Sequence, residues 1–285
     1  MDNYQRHLVE IFSKYRPDPT YPTYPPYHKG LYLEDYFFDR FIKEDIVLNR
    51  YYIPIFWTTC YIENKCSGLQ ENLNSLDPSK KYFAVAQHDD AIRERLPTDT
   101  LEFTFNGNRG GILLPPICSP IPEEIKPIGL NRDIFCSFVG SNTNPIRNLM
   151  FNVLKDNPKY LLSIRNWTPS VPKNDFDNFI EMTSRSIFSL CPRGYGRSSF
   201  RLHEAMQLGS IPVYIYDQKW FPFDDEIDWN EFCVLIDVKD IYNIDFILSE
   251  YSKEKIEKMQ TNLKKYWNNH FKIDSVFEKI INRVV

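Results

Sequence analysis

Residues 189–217 read SLCPRGYGRSSFRLHEAMQLGSIPVYIYD, and this stretch decides the fold. Leu190 and Cys191 close an apolar run that reads as a buried strand. Pro192 to Arg197 then form a turn whose Gly194 and Gly196 let the backbone approach a ligand closely. Ser198 and Ser199 open a helix, Phe200, Ala205, Met206 and Leu208 supply its inner side, and Gly209 stops it. SIPVYIY resumes as a strand. Strand, glycine loop, helix and strand in that order predict a parallel sheet with the loop at its carboxyl edge, where such sheets bind ligands.

The first turn of that helix leaves backbone N–H groups free, with the positive end of the helix dipole behind them. Arg193, Arg197 and Arg201 add positive charge, which suits a pyrophosphate, and Glu204 lies one turn in, placed to accept from ribose hydroxyls. Neither GxGxxG nor GxxxxGK[ST] is present. On the residues alone, an ordinary glycine turn followed by a solvated Arg/Glu helix face weighs equally.

The same rhythm runs through the second half of the chain. IFCSFVG reads as a strand and NPIRNLMFNVL as a helix, with Asn144 at its N-cap and Pro145 at its first position. YLLSI, SIFSLC and FCVLIDV read as further strands, and DFDNFIEMTSR as a helix between them. One or two amphipathic helices follow from Ile241, and the tail KIDSVFEKIINRVV forms another. Before this half come an early helix, a Tyr/Pro-rich arm to about Gly30 and a helix over 33–47. A strand over 51–57 interrupted by Pro54 and a short buried strand at Tyr82–Ala86 complete it. His88, Asp89 and Asp90 follow that last strand directly. The change of rhythm places a domain boundary near 125–132 and predicts domains at 1–128 and 129–265, with 266–285 as a C-terminal helix crossing back to the first domain.

A length of 285 residues fits two domains, and 42% apolar with 25% charged residues fits a globular core. With 34 Lys and Arg against 38 Asp and Glu, the net charge of -4 excludes a protein that wraps nucleic acid. No apolar run is long enough to span a membrane, and the charged N-terminus lacks a signal-peptide core. The expected setting is therefore soluble and cytoplasmic. The aromatic content, 21 Phe, 18 Tyr and 5 Trp, suits a sugar-binding cleft as well as a packed core. Cys60, Cys66, Cys118, Cys136, Cys191 and Cys233 show no zinc spacing and read as reduced. Asn166-Trp167-Thr168 has the spacing of an N-glycosylation acceptor but no export signal beside it.

CPRGYGRSSFRLHEAMQLGSIPVYIYD, followed by PFDDEIDWNEFCVLIDV, resembles the C-terminal signature of the exostosin-like inverting glycosyltransferases. YLEDYFFDRF, YYIPIFW, YFAVAQHDD and FCSFVGSNTNPIR resemble earlier segments of that family. The resemblance implies an α/β GT-B fold, two Rossmann-like domains facing across a cleft. It further implies a compact, anchorless member like those of large algal viruses, whose setting would be the host cytoplasm. The C-terminal domain would hold a UDP-sugar donor and the N-terminal domain a glycan acceptor, an oligosaccharide or a glycoprotein glycan. Matching positions make Arg147 and Arg201 diphosphate contacts, Ser198 and Ser199 donors from the helix start, Glu204 the ribose ligand and Arg193 a further phosphate candidate.

Inverting transfer needs a base to deprotonate the attacking hydroxyl and positive groups to stabilise the departing diphosphate. Asp89 is the first choice of base, then His88, with Asp90, Glu34 and Asp35 as alternatives. No tightly bound cofactor is expected, and with no Asp-x-Asp triplet after a strand a divalent metal is not expected to be essential. Asp224, Asp225 and Asp228 could contact sugar hydroxyls or lie in a solvated loop. Glu181 and His203 are expected to face solvent or a neighbour. Single-sugar transfer, with a lean to xylose, is the leading reading. A non-catalytic carbohydrate-binding protein, or another nucleotide or phosphosugar enzyme on the same fold, is the alternative.

Overall fold

The computed structural model describes residues 1–19, 31–105, 111–116, 121 and 132–285. The chain divides into two compact units, Met1–Ser119 with Lys272–Val285, and Pro120–Phe271. The boundary expected near 125–132 and most of the Tyr/Pro arm lie outside the described residues.

The first unit is built on a parallel sheet, β1 (Tyr51–Tyr52), β2 (Tyr82–Ala86), β3 (Leu101–Thr104) and β4 (Ile112–Leu113), paired in that order. Around it run α1 (Asn3–Ile11), α2 (Leu33–Lys43), α3 (Trp57–Ile62) and α4 (Leu69–Asn74). Every residue of β2 is buried, as its unbroken apolar run requires of a parallel strand covered on both faces. The strand expected over 51–57 is shorter than the sequence suggests. Ile53 makes a last ladder bond to the Phe83 carbonyl at 2.9 Å, Pro54 has no N–H to continue it, and Trp57 already begins α3. The helix expected to reach Val47 ends at Lys43, with Asp45 left-handed at φ 49° just beyond.

The second unit holds β5 (Ile134–Ser141), β6 (Tyr160–Arg165), β7 (Ser186–Pro192), β8 (Ile211–Tyr216) and β9 (Val234–Asp237) in one parallel sheet, ordered β6-β5-β7-β8-β9. Its helices are α5 (Pro145–Leu154), α6 (Lys173–Arg185), α7 (Phe200–Gln207), α8 (Ile244–Ser249) and α9 (Lys253–Tyr266). Asn144 caps α5 as its sequence predicts, its side chain accepting from Ile146 N–H at 3.0 Å. The chain leaves β5 to one side for β6 and then crosses to the other side for β7. That reversal creates a switch point between β5 and β7, the place where doubly wound sheets open a crevice at their carboxyl edge.

A last helix, α10 (Ile273–Val284), belongs to the first unit. It buries Val276, Phe277, Ile280 and Val284, a stripe at helical spacing. The Phe277 ring packs tilted against Phe37 of α2, centroids 4.9 Å apart, the Arg40 guanidinium lies 4.1 Å over the Phe277 ring, and Arg40 pairs with Glu278. Two parallel α/β units in one chain make the architecture GT-B-like. Among the described residues no helix is long and apolar enough to cross a membrane, and Cys60, Cys66, Cys136, Cys191 and Cys233 are free thiols.

Candidate functional site

The loop after β7 and the start of α5 meet at the switch point of the second sheet. Arg147, in the first turn of α5, is buried and spends three donors on backbone carbonyls. Its Nη1 donates to Ser141 at 2.7 Å, its Nε to Arg193 at 3.1 Å and its Nη2 to Pro192 at 3.2 Å. The guanidinium thus ties the carboxyl ends of β5 and β7 together and leaves its charge at that point. Asn144 adds a bond from its Nδ2 to the Gly194 carbonyl at 2.9 Å. At Gly194 a Cβ would stand 3.4 Å from the Arg147 Nη2 and 3.6 Å from the Ser198 carbonyl, in ordinary contact with both, so the guanidinium and the loop pass close by this residue.

Arg193 also turns inward. Its Nε reaches the Gly196 carbonyl at 3.0 Å, its Nη2 the Tyr195 carbonyl at 2.9 Å, and its Nη1 pairs with Asp217 Oδ1 at 2.6 Å. Tyr214 donates its hydroxyl to the Arg197 carbonyl at 2.5 Å, fixing the far end of the loop.

Beyond this braced loop comes a run of buried polar atoms that make no hydrogen bond. Ser198 and Ser199 are each 4% exposed, and neither hydroxyl has a hydrogen-bond partner among the described residues. Ser199 occupies the N-cap of α7 without making the usual side-chain cap bond. Arg201 Nε and Glu204 Oε2 are likewise buried and unmatched. Arg201 Nη1 does stand 2.8 Å from Glu204 Oε2, close enough for charge attraction but not aligned as a hydrogen bond. The Arg201 guanidinium also lies 3.8 Å over the Phe179 ring. Buried polar atoms are normally satisfied, so this cluster at the start of a helix is arranged for a group that the protein does not itself supply. Hydroxyls, a guanidinium and helix N–H groups would hold an anion, and the Glu204 carboxylate would accept hydroxyl hydrogens.

In the first unit the base candidates gather at the carboxyl edge of its own sheet. Glu34, in the first turn of α2, is fully buried and accepts N–H bonds from Thr58 at 2.8 Å and Gln87 at 3.1 Å. It thereby ties the start of α3 to the residue just after β2. Burial pushes its carboxyl above the ordinary range, against the pull of those N–H bonds. Asp35 accepts from Tyr32 N–H at 3.0 Å and is pushed well up by burial, with the neighbouring Glu34 charge adding to it. His88 accepts the Asp90 N–H on Nδ1 at 3.1 Å, which leaves the ring proton on Nε2. Burial lowers its imidazole to about 4. Asp90 pairs with Arg93 at 2.7 Å, and the turn closes on Ala91 in the left-handed region at φ 57°, a conformation a residue with a Cβ adopts only under constraint. Asp89 lies between His88 and Asp90 in this turn.

His203, expected to face solvent or a neighbour, meets neighbours: it is fully buried between Trp220 and Phe271, and burial drives its imidazole down to about 3. A histidine on the inner side of a helix reads as polar in a hydrophobic pattern, so its burial carries no sequence signal. Asp228 caps the turn Trp229–Glu231 by accepting Asn230 N–H at 2.9 Å. Glu181 pairs with Arg185 at 3.0 Å on an exposed helix face. Asp217, which the sequence reading passed over, is the partner that fixes Arg193. Among the described residues no group of three or more His, Cys, Asp or Glu could hold a metal ion.

The Exostosin GT47 domain model matches residues 73–251. Over 274 residues the chain is 24% identical to the "Probable glycosyltransferase At3g07620" of Arabidopsis thaliana, covering 88% of this chain and 54% of that protein. It is 32% identical over 167 residues to the "Probable beta-1,4-xylosyltransferase IRX10" of the same plant, covering 54% of this chain and 38% of the relative. The chain therefore spans about half or less of the length of these curated relatives. Among solved structures, the pneumococcal O-GlcNAc transferase GtfA, crystallised with UDP and GlcNAc, aligns over 78% of this chain and 47% of its own at 12% identity and a TM-score of 0.41. The family model takes in β2 with its His-Asp-Asp turn, the braced loop after β7 and the whole of α7, and on that match the chain belongs to the exostosin GT47 domain family.

Proposed function

We propose that the protein is an inverting glycosyltransferase that moves a single sugar from a UDP-sugar to a hydroxyl of a glycan acceptor. One observation carries this reading. The buried Ser198 and Ser199 hydroxyls and Arg201 Nε make no hydrogen bond at the start of α7, beside the switch point of a parallel sheet, and Glu204 Oε2 has only the charge of Arg201 for company. A nucleoside diphosphate supplies what they lack: anionic oxygens for the serines and the guanidinium, ribose hydroxyls for Glu204. Arg147 and Arg193 stand behind them, bracing the loop and contributing positive charge.

In the transfer, the acceptor hydroxyl loses its proton to a base as its oxygen attacks C1 from the face opposite UDP. The C1–O bond to the diphosphate breaks, and the positive groups take up the charge that develops on it. Asp89 is our choice of base because it stands in the turn directly after β2, at the carboxyl edge of the first sheet. Relatives named as probable xylosyl- and glucuronosyltransferases support a plant-type UDP-sugar, and xylose is our leading candidate.

The test is a UDP-release screen over a panel of UDP-sugars, with and without EDTA, alongside direct titration of UDP. Selective release from one donor, surviving EDTA, is the expected result. Failure both to bind UDP and to release it from any donor would overturn the proposal.

A further inference from the structure

The geometry assigns Arg193 and Asp217 as a clamp that shapes the loop of residues 194–198 for a diphosphate, with Arg193 acting as a positioning residue and not as a phosphate ligand. This rests on the donor-site reading above. Each of the three nitrogens of the Arg193 guanidinium has a partner in the protein. Nε is shared between the Gly194 carbonyl at 3.4 Å and the Gly196 carbonyl at 3.0 Å. Nη2 takes the Tyr195 carbonyl at 2.9 Å, and Nη1 takes Asp217 Oδ1 at 2.6 Å. The Arg193 backbone N–H is itself bonded to the Ile215 carbonyl of β8 at 3.0 Å. With 12% of its side chain exposed, the residue is wrapped by its own loop and held from outside by one carboxylate just past the end of β8.

Three successive carbonyls drawn to one guanidinium fix the three peptide planes that carry them. In a trans peptide the C=O of one residue and the N–H of the next point in opposite directions. The N–H groups of Tyr195, Gly196 and Arg197 are therefore turned away from the arginine. Successive N–H groups aimed to one side make an anion-binding concavity, and the unmatched Ser198 and Ser199 hydroxyls follow it directly in the chain. Asp217 sets the orientation of the guanidinium and so of the whole loop, although as a carboxylate it would repel the diphosphate itself.

That last point gives the test a sign. If Arg193 bound phosphate directly, Asp217→Asn would free its charge and remove a negative group, and UDP would bind more tightly. A clamp predicts the reverse: Asp217→Asn raises the Kd for UDP about tenfold and speeds amide hydrogen exchange in 194–198, while exchange in β5 and α9 stays unchanged. Arg193→Lys, which keeps the charge but lacks the planar fork, is expected to match it in both readouts. Tighter or unaltered UDP binding by Asp217→Asn overturns the clamp. If the wild type does not bind UDP, the donor reading falls, and inorganic pyrophosphate then decides the clamp. The same loss of pyrophosphate affinity in Asp217→Asn retains it, and no pyrophosphate binding by the wild type overturns it too.

Discussion

Arg147 Nε donates to the carbonyl oxygen of Arg193 at 3.1 Å, so the arginine at the start of the helix after β5 holds the arginine loop after β7 by its backbone. Charge is thereby placed at the carboxyl edge by a side chain whose hydrogen bonds serve the fold.

Replacing Arg147 with Ala should show both roles. Three carbonyls, those of Ser141, Pro192 and Arg193, would lose their donor. Leaving buried acceptors unmet costs about 1–3 kcal/mol each at most, and partial hydration brings the expected total to about 2–4 kcal/mol. For a chain of this size that lowers Tm by roughly 5–10 °C. Thermal unfolding measures it, and UDP titration of the folded variant at low temperature should show affinity lost as well. A variant that unfolds like the wild type would show that the three bonds do not brace the loop.

The serines at the start of α7 should behave in the opposite way. An N-cap serine is ordinarily worth about 1 kcal/mol, yet the Ser199 hydroxyl accepts no N–H in the free protein. Ser199→Ala and Ser198→Ala should therefore leave Tm within about 2 °C while raising the Kd for UDP about fivefold, the value of one hydrogen bond near 1 kcal/mol. Calorimetry on both variants checks this. A fall in Tm with unchanged UDP affinity would mark the hydroxyls as structural.

These residues show what a sequence conveys and what it withholds. The strands β2, β5, β7 and β8 are legible because uninterrupted apolar runs between turn residues have few other uses, and α5 announces itself by Asn144-Pro145. Pro54 hints that the strand after Arg50 is broken, but the point of termination depends on which backbone groups meet β2. The roles of Arg147 and Arg193 were less accessible. Arg193 looks like a phosphate ligand because it precedes a glycine loop and Arg147 because of the family resemblance, and only contacts across 24 residues in one case and 46 in the other reveal that both guanidinium groups are engaged by the protein. Asp217 was invisible for the same reason, being one exposed carboxylate after a strand until its partner is located.

At the other carboxyl edge, the base assignment makes a kinetic prediction. Asp89→Asn should lower kcat at least about 100-fold, the ordinary contribution of a general base, with little change in the Kd for UDP. His88→Asn should cost less. The His88 imidazole, lowered to about 4 by burial, stays neutral down to that pH and so cannot set an acid limb near 6. The pH profile of kcat/KM for wild type and His88→Asn decides it: a limb near 6 that disappears in His88→Asn would move the base to His88.

The buried acids and His88 should also write opposite signatures into stability against pH. A lowered His88 value means the folded protein favours the neutral ring. Its contribution is present above 6.5 and is lost as pH falls through about 4. Asp35 is raised well above 3.8, chiefly by burial and then by the Glu34 charge, so the folded state favours the protonated carboxyl. Its contribution is complete below the unfolded value of 3.8 and is lost as pH rises through the raised folded value. Asp35→Asn keeps an oxygen to accept the Tyr32 N–H, now made at 3.0 Å, but carries no charge to desolvate. Relative to wild type, its Tm should therefore climb between pH 4 and 7, ending equal to or a few degrees above the wild-type value at pH 7. His88→Asn should lose less stability than wild type between pH 6.5 and 4. Differential scanning calorimetry across that range separates the two, because each variant is compared with wild type at the same pH. An Asp35→Asn difference that stays flat from pH 4 to 7 would mean that Asp35 is ionised at ordinary carboxylate pH in the folded protein, and that its burial imposes no electrostatic cost on the start of α2.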